Sequence, residues 1–143
     1  MSRERKETAY HEAGHAVSAI ALGLDVLFIK MPPLCDLGMT RIGEIETEGQ
    51  DAAVTIAGTT CETMELGGQN VVKTIEALYV VPSMFKGSQD LLYLEEYYNQ
   101  DFVFDAFENA EKMLKKHWAR VDRIAERLMT RDFMDNLELR RMW

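Results

Sequence analysis

The clearest periodic pattern lies late in the chain. Phe107, Ala110, Leu114, Trp118, Val121, Ala125 and Leu128 step by three and four, which predicts one continuous apolar stripe on one helix. Earlier, the segment from about Arg3 to Leu22 reads as a helix, with Gly23 placed to end it in a left-handed turn. Leu24 to Met31 is a short apolar run containing Val26, Phe28 and Ile29, closed by Pro32-Pro33, and predicts a strand. Met39 to Glu46 is its expected partner strand. The apolar positions there, Met39, Ile42 and Ile45, are spaced by three and fit a helix about as well, so the flanking Gly38 and Gly49 decide for the strand. Gln50 to Leu66 predicts a second helix, with Ala53, Val54, Ala57, Cys61 and Met64 on or near one face and Gly67-Gly68 closing it. Ser88 to Asn99 predicts a third, capped by Ser88, with Leu91, Leu92 and Leu94 turned inward. Val71 to Phe85 mixes β-branched and aromatic residues with Pro82, a pattern that assigns no element. The expected fold is mainly α, with a small β-sheet inserted after the first helix.

Length and composition narrow this reading. With 143 residues, 47% of them hydrophobic and 28% charged, the chain has room for one core, so residues 1–143 form a single domain. No internal repeat, low-complexity run or Pro/Gly-rich linker divides it. The net charge of −8 argues against a nucleic-acid surface, which needs a surplus of clustered Lys and Arg. An acid-rich stretch at Gly87–Asp105 and a basic one at Lys112–Arg120 read as solvated helix faces. Two cysteines, Cys35 and Cys61, are too few for a disulfide framework and fit a reducing compartment. The longest mainly apolar stretch, Ala16–Leu24, is too short to span a bilayer. The charged run Ser2–Glu7 leads into no apolar signal core. A soluble, acidic, cytoplasmic domain without membrane contact is expected.

The candidate chemistry sits in the first helix. His11-Glu12-Ala13-Gly14-His15 places two imidazoles four residues apart, on one helical face, where both reach a single metal ion. Glu12 follows the first histidine and lies near the open position without ligating. A zinc ion held this way lowers the pKa of its water to roughly 7, and Glu12 can move that water's proton to a leaving amine. This is the chemistry of peptide-bond hydrolysis. The flanking small residues Ala9, Ala13, Gly14 and Ala16 let another element pack closely. A catalytic zinc site needs a third protein ligand. Ala21 stands where a metzincin needs histidine, which removes that class. His117, among Lys115, Lys116 and Trp118, reads as a surface residue, and lone cysteines are more often small buried hydrophobes. Glu62, Glu65 and Asp90 remain, and spacing does not choose among them.

Thr8-Ala9-Tyr10-His11-Glu12-Ala13-Gly14-His15-Ala16 closely resembles the start of the peptidase domain of the FtsH family, membrane-bound ATP-dependent zinc metalloproteases. Leu37-Gly38-Met39-Thr40 is similar to that family's Leu-Gly-x-Thr strand, and Ile56-Ala57-Gly58-Thr59-Thr60-Cys61-Glu62 to its glycine-containing helix. Gly87-Ser88-Gln89-Asp90 resembles the segment whose last Asp is the third zinc ligand. Val121, Ile124–Leu128 and Leu137–Leu139 resemble the closing helices. The resemblance implies His11, His15 and Asp90 as zinc ligands, Glu12 as catalytic base, and Glu62 as an acid close to the metal that orients a ligand histidine. The chain departs from the family pattern at Gln89, where the family has Asn, at Thr59 (Arg) and at Thr63 (Glu), and its stretch between Glu62 and Asp90 is longer. It carries no Gly-x-x-x-x-Gly-Lys phosphate loop. The expected activity is therefore an ATP-independent zinc metallopeptidase acting on peptides or unfolded protein segments, with substrate added as a strand along the Met39–Glu46 edge. Because the family's peptidase domains form hexamers, the resemblance also brings in a homo-oligomer. The competing expectation is a non-catalytic module that keeps the fold, with or without a metal, and works by binding a partner.

Overall fold

The structure is a computed structural model that describes residues 3–33, 37–66 and 88–143. Cys35, Gly67-Gly68 and the unassigned Val71–Phe85 stretch lie outside the described residues. Helix α1 spans Arg3–Ala21. It ends in a Schellman turn: Leu24 N donates to Ala19 O (2.9 Å) and Gly23 N to Ile20 O (3.0 Å). Gly23 takes φ +80°, a conformation glycine adopts without a Cβ penalty.

Strand β1 (Val26–Lys30) is the centre of a three-stranded antiparallel sheet. On one side lies β2 (Met39–Ile42), with Ile29 opposite Thr40 and Lys30 opposite Met39. Only the first half of the expected Met39–Glu46 strand is extended. The rest leads into helix α2 (Glu48–Glu65) through a capping box, in which Thr47 Oγ1 accepts from Gln50 N (3.1 Å) and Gln50 Oε1 accepts from Thr47 N (3.2 Å). Helix α2 therefore starts two residues earlier than the sequence suggested. It is buried along most of its middle, from Ala52 to Glu62.

Helix α3 spans Ser88–Tyr97. Leu94 is buried as expected, but Leu92 faces solvent. The late apolar stripe is buried from Phe107 to Leu128, with Trp118 half-buried, yet it does not form one helix. Helix α4 (Gln100–Lys116), capped by Asn99, ends at His117, and α5 (Trp118–Thr130) begins directly after it. His117 at φ −112°, ψ 23° turns the axis so that α4 packs on α2 and α5 on α1. A single straight helix could not follow both.

Strand β3 (Phe133–Asp135) and helix α6 (Asn136–Met142) close the chain. β3 pairs with β1 on the side away from β2, with Met134 opposite Ile29, and completes the sheet. One side chain ties the two ends of the fold together. Arg5 donates to the carbonyls of Leu128 (2.8 Å) and Met129 (2.9 Å) in the last turn of α5, and to those of Pro32 (2.7 Å) and Arg131 (3.1 Å), and it pairs with Asp132. It thereby satisfies carbonyls that a helix end leaves unpaired. Among the described residues no helix is long and apolar enough to cross a membrane.

Candidate metal centre

Helices α1 and α2 run antiparallel and very close together. A Cβ on Gly14 would lie 2.6 Å from both Ala57 O and Cys61 Cβ, so the contact depends on glycine. This brings Val54, Gly58 and Glu62, each about one turn apart on α2, against the histidines of α1.

Each histidine is oriented through Nδ1. His11 Nδ1–H donates to Glu62 Oε1 at 2.5 Å, and His15 Nδ1–H donates to the Val54 carbonyl at 2.7 Å. A carbonyl can only accept, which fixes the His15 tautomer. Both Nε2 atoms are thus left to face each other, 3.0 Å apart, across edge-on rings. Two lone pairs at that distance repel unless a cation or a proton lies between them. Asp90 Oδ2 completes the cluster at 3.4 Å from His11 Nε2 and 3.7 Å from His15 Nε2. Ligand bonds of about 2.0–2.1 Å in tetrahedral geometry put neighbouring donor atoms roughly 3.3 Å apart. The three separations bracket that value, and His11, His15 and Asp90 form a group that could hold a metal ion.

The electrostatics agree. Burial pulls the His11 pKa down, but the hydrogen bonds that its ring donates to Asp90 and Glu62 outweigh it and raise the value to about 10. Burial and the neighbouring His11 lower that of His15. Without a metal, one histidine is thus charged and the other neutral. A divalent cation would displace that proton, so metal uptake should release it.

Glu12 is buried beside this group but does not belong to it. Its Oε1 accepts from Thr40 Oγ1 (2.7 Å), and its Oε2 lies so close to Gly38 that a Cβ there would stand 2.8 Å away. Strand β2 thus holds the carboxylate from one side, through Thr40. Glu62 sits on His11 Nδ1, the ring nitrogen turned away from the cluster; behind a metal-bound histidine such a carboxylate fixes ring orientation and raises ligand basicity. Glu65 is instead paired with Lys6 (2.9 Å), and His117 lies by Trp143 and Arg120. Cys61 packs against Gly14, and burial raises its thiol pKa.

Sequence reasoning gave no role to Gly58, Thr40 or the Val54 carbonyl. A Cβ on Gly58 would lie 2.5 Å from His15 Nε2 and 2.7 Å from His11 Nε2, so its bare Cα forms one wall of the cluster. The available signal was a glycine inside a helix, where it costs about 0.5–1 kcal/mol relative to alanine and so calls for a close approach. No protein-family model matches the chain, and no curated protein matches it.

Proposed function

We propose that the protein is a zinc metallopeptidase that hydrolyses peptide bonds in peptides or unstructured segments without ATP. One observation carries the reading. Three donors converge at tetrahedral spacing, while a second acid, Glu12, on the helix of the two histidines, is buried and left out of the group. A purely structural site has no use for that acid. Two histidines and a carboxylate suit zinc and leave one position open.

Bound zinc would supply Lewis acidity, polarising the scissile carbonyl and acidifying water. Glu12 takes the proton of the attacking water as its oxygen bonds to the carbonyl carbon, and returns it to the amine nitrogen as the C–N bond breaks. Thr40 holds Glu12 Oε1 and so aims the carboxylate. Glu62 and the Val54 carbonyl keep both imidazoles in the tautomer with free Nε2.

Strand β2 lies at the edge of the sheet, beside Glu12. Gly43 N donates inward to Asp25 O (2.8 Å), so alternation along the strand turns the backbone groups of Ile42 and Thr40 outward. These are the groups a substrate strand would pair with. Ile42→Pro removes one outward donor and no bond within the sheet. The expected result is a folded protein, by circular dichroism, with peptide turnover down about tenfold, the scale of one backbone hydrogen bond. Undiminished turnover would rule out docking on this edge.

The direct test of the centre is metal content after purification without chelator, in the native protein and in His15→Ala. One zinc per chain, absent from the variant, is expected. A native protein that neither carries zinc nor takes it up would overturn the reading.

A further inference from the structure

Charge is sharply segregated along this chain. Between Gly43 and Leu66 it carries six acidic residues and no lysine or arginine; between Ser88 and Glu111 it carries seven acids and again none. Nine of the sixteen basic residues lie from Lys112 onward; Arg41 is on the edge strand, and Lys73 and Lys86 fall between the two acidic stretches. The two acidic stretches are the loop after β2 with α2, and α3 with most of α4. These are the elements on the Asp90 side of the candidate metal centre.

Helix α3 runs antiparallel to α2. Asp90, near its start, reaches the histidine pair beside Gly58. Further along, the phenols of Tyr93 and Tyr98 donate to Asp51 Oδ2 at 2.9 and 3.0 Å, in the first turn of α2. Asp90, Tyr93 and Tyr97 fall at i, i+3 and i+7, on one helical face leading away from the centre. The rings of Tyr93 and Tyr97 lie 5.0 Å apart and are 41% and 63% exposed, with Leu92 beside them at 55%. Glu95 and Glu96 are exposed on the same helix. Glu44, Glu46 and Glu48 are exposed on the connection that joins the end of β2 to α2. The first turn of α2 therefore anchors the tyrosines through Asp51 and, through the short 43–47 loop, the end of the edge strand.

The geometry points to a docking surface for the cationic part of a peptide substrate: the Tyr93–Tyr97 face of α3, flanked by Glu96 on the same helix and by Glu48 one turn before Asp51 on α2, takes a lysine or arginine side chain of a peptide bound across the candidate centre. This rests on the peptidase reading and adds its substrate class. A cation over tyrosine faces is attracted by the ring quadrupoles, with an effect of about two- to fivefold on binding at an exposed site. Leu92 offers a surface for the aliphatic stem. The surrounding carboxylates add attraction that salt screens. Seven helical residues from Asp90 to Tyr97 cover about 10 Å. An extended peptide spans that in about three residues, so the favoured basic residue lies about three positions from the scissile bond.

The test uses two matched fluorescent peptides, one with lysine and one with glutamate at that position. Binding is read by anisotropy on Glu12→Gln protein and cleavage on zinc-loaded native protein. At low salt the lysine peptide should bind at least about tenfold tighter than its twin, with the preference shrinking in 0.5 M salt on the order expected for exposed charges. Tyr97→Ala should weaken the lysine peptide about two- to fivefold and leave its twin unchanged. Glu48→Lys/Glu96→Lys should reverse the preference; both sites are exposed, so the fold is spared. Equal binding of the two peptides, or a preference that survives both variants, overturns the docking surface. Cleavage without charge preference overturns it too but leaves the peptidase reading standing. Charge-dependent binding with no cleavage upholds the surface and overturns the peptidase.

Discussion

Glu12→Gln is expected to leave one zinc per chain in place and to lower peptide hydrolysis by about 10²–10⁴-fold, the usual contribution of a positioned general base. At 1.36 kcal/mol per decade, that loss is about 3–5 kcal/mol of barrier. Metal binding should survive because the group that could hold the ion is His11, His15 and Asp90, and Glu12 is not in it. The fold should survive because glutamine is isosteric and its carbonyl can still accept from Thr40 Oγ1. Glutamine cannot take a proton from water, so only the chemical step is lost. Zinc content by elemental analysis and turnover of a fluorogenic peptide, measured on the same preparation, give the result. Unchanged hydrolysis would assign the activity to a contaminant and favour the binding-module reading.

Gly58→Ala should have the second large effect, on the metal alone. The added methyl would stand 2.5 Å from one ligand nitrogen and 2.7 Å from the other, inside van der Waals contact. The rings cannot retreat freely, since His11 is held by Glu62 and His15 by the Val54 carbonyl. Losing such orientation typically costs 10–100-fold in metal affinity, and a methyl between the donors should cost at least about 100-fold. Alanine also favours the helix by up to about 1 kcal/mol, which offsets part of the crowding, so the metal-free protein should lose less stability than it loses metal affinity. Gly14→Ala provides the contrast. There the methyl meets the Ala57 backbone, and stability should fall with or without metal. Zinc titration of both variants, with melts in chelator, distinguishes the cases. Normal zinc affinity in Gly58→Ala would show that the cluster is not a metal centre.

The parts of this site that were legible in the sequence are the local ones. His11 and His15 are one turn apart, and that spacing alone puts two imidazoles on one face. Asp90 is 75 residues beyond His15, and no local pattern distinguishes it from Glu62 or Glu65; only the family resemblance selected it. The structure separates the three, with Asp90 on both histidines, Glu62 behind one of them and Glu65 on Lys6. β3 was invisible because three residues show no period, and its strand character comes from pairing with β1 a hundred residues earlier. The break at His117 was hidden for the opposite reason. The apolar stripe continues in phase across it, so periodicity registers burial and misses the turn of the axis. The Thr47–Gln50 capping box was readable, but the strand was carried up to Glu46 and the helix begun only at Gln50, which left Thr47 between them.

The Arg5 clamp has a consequence for when such a site can come into being. Arg5 is six residues ahead of the first histidine, and its carbonyl partners in α5 lie 123 and 124 residues further along the chain. The middle strand of the sheet likewise waits for residues 133–135 to gain its second neighbour. Contacts between distant positions are slow to form, because closing so long a loop costs entropy before any contact repays it. During synthesis, the helix with both imidazoles emerges well before residues 128–135, which help to secure it. On the peptidase reading, such a centre stays latent until those residues are made, while the nearest unfolded polypeptide is the chain itself.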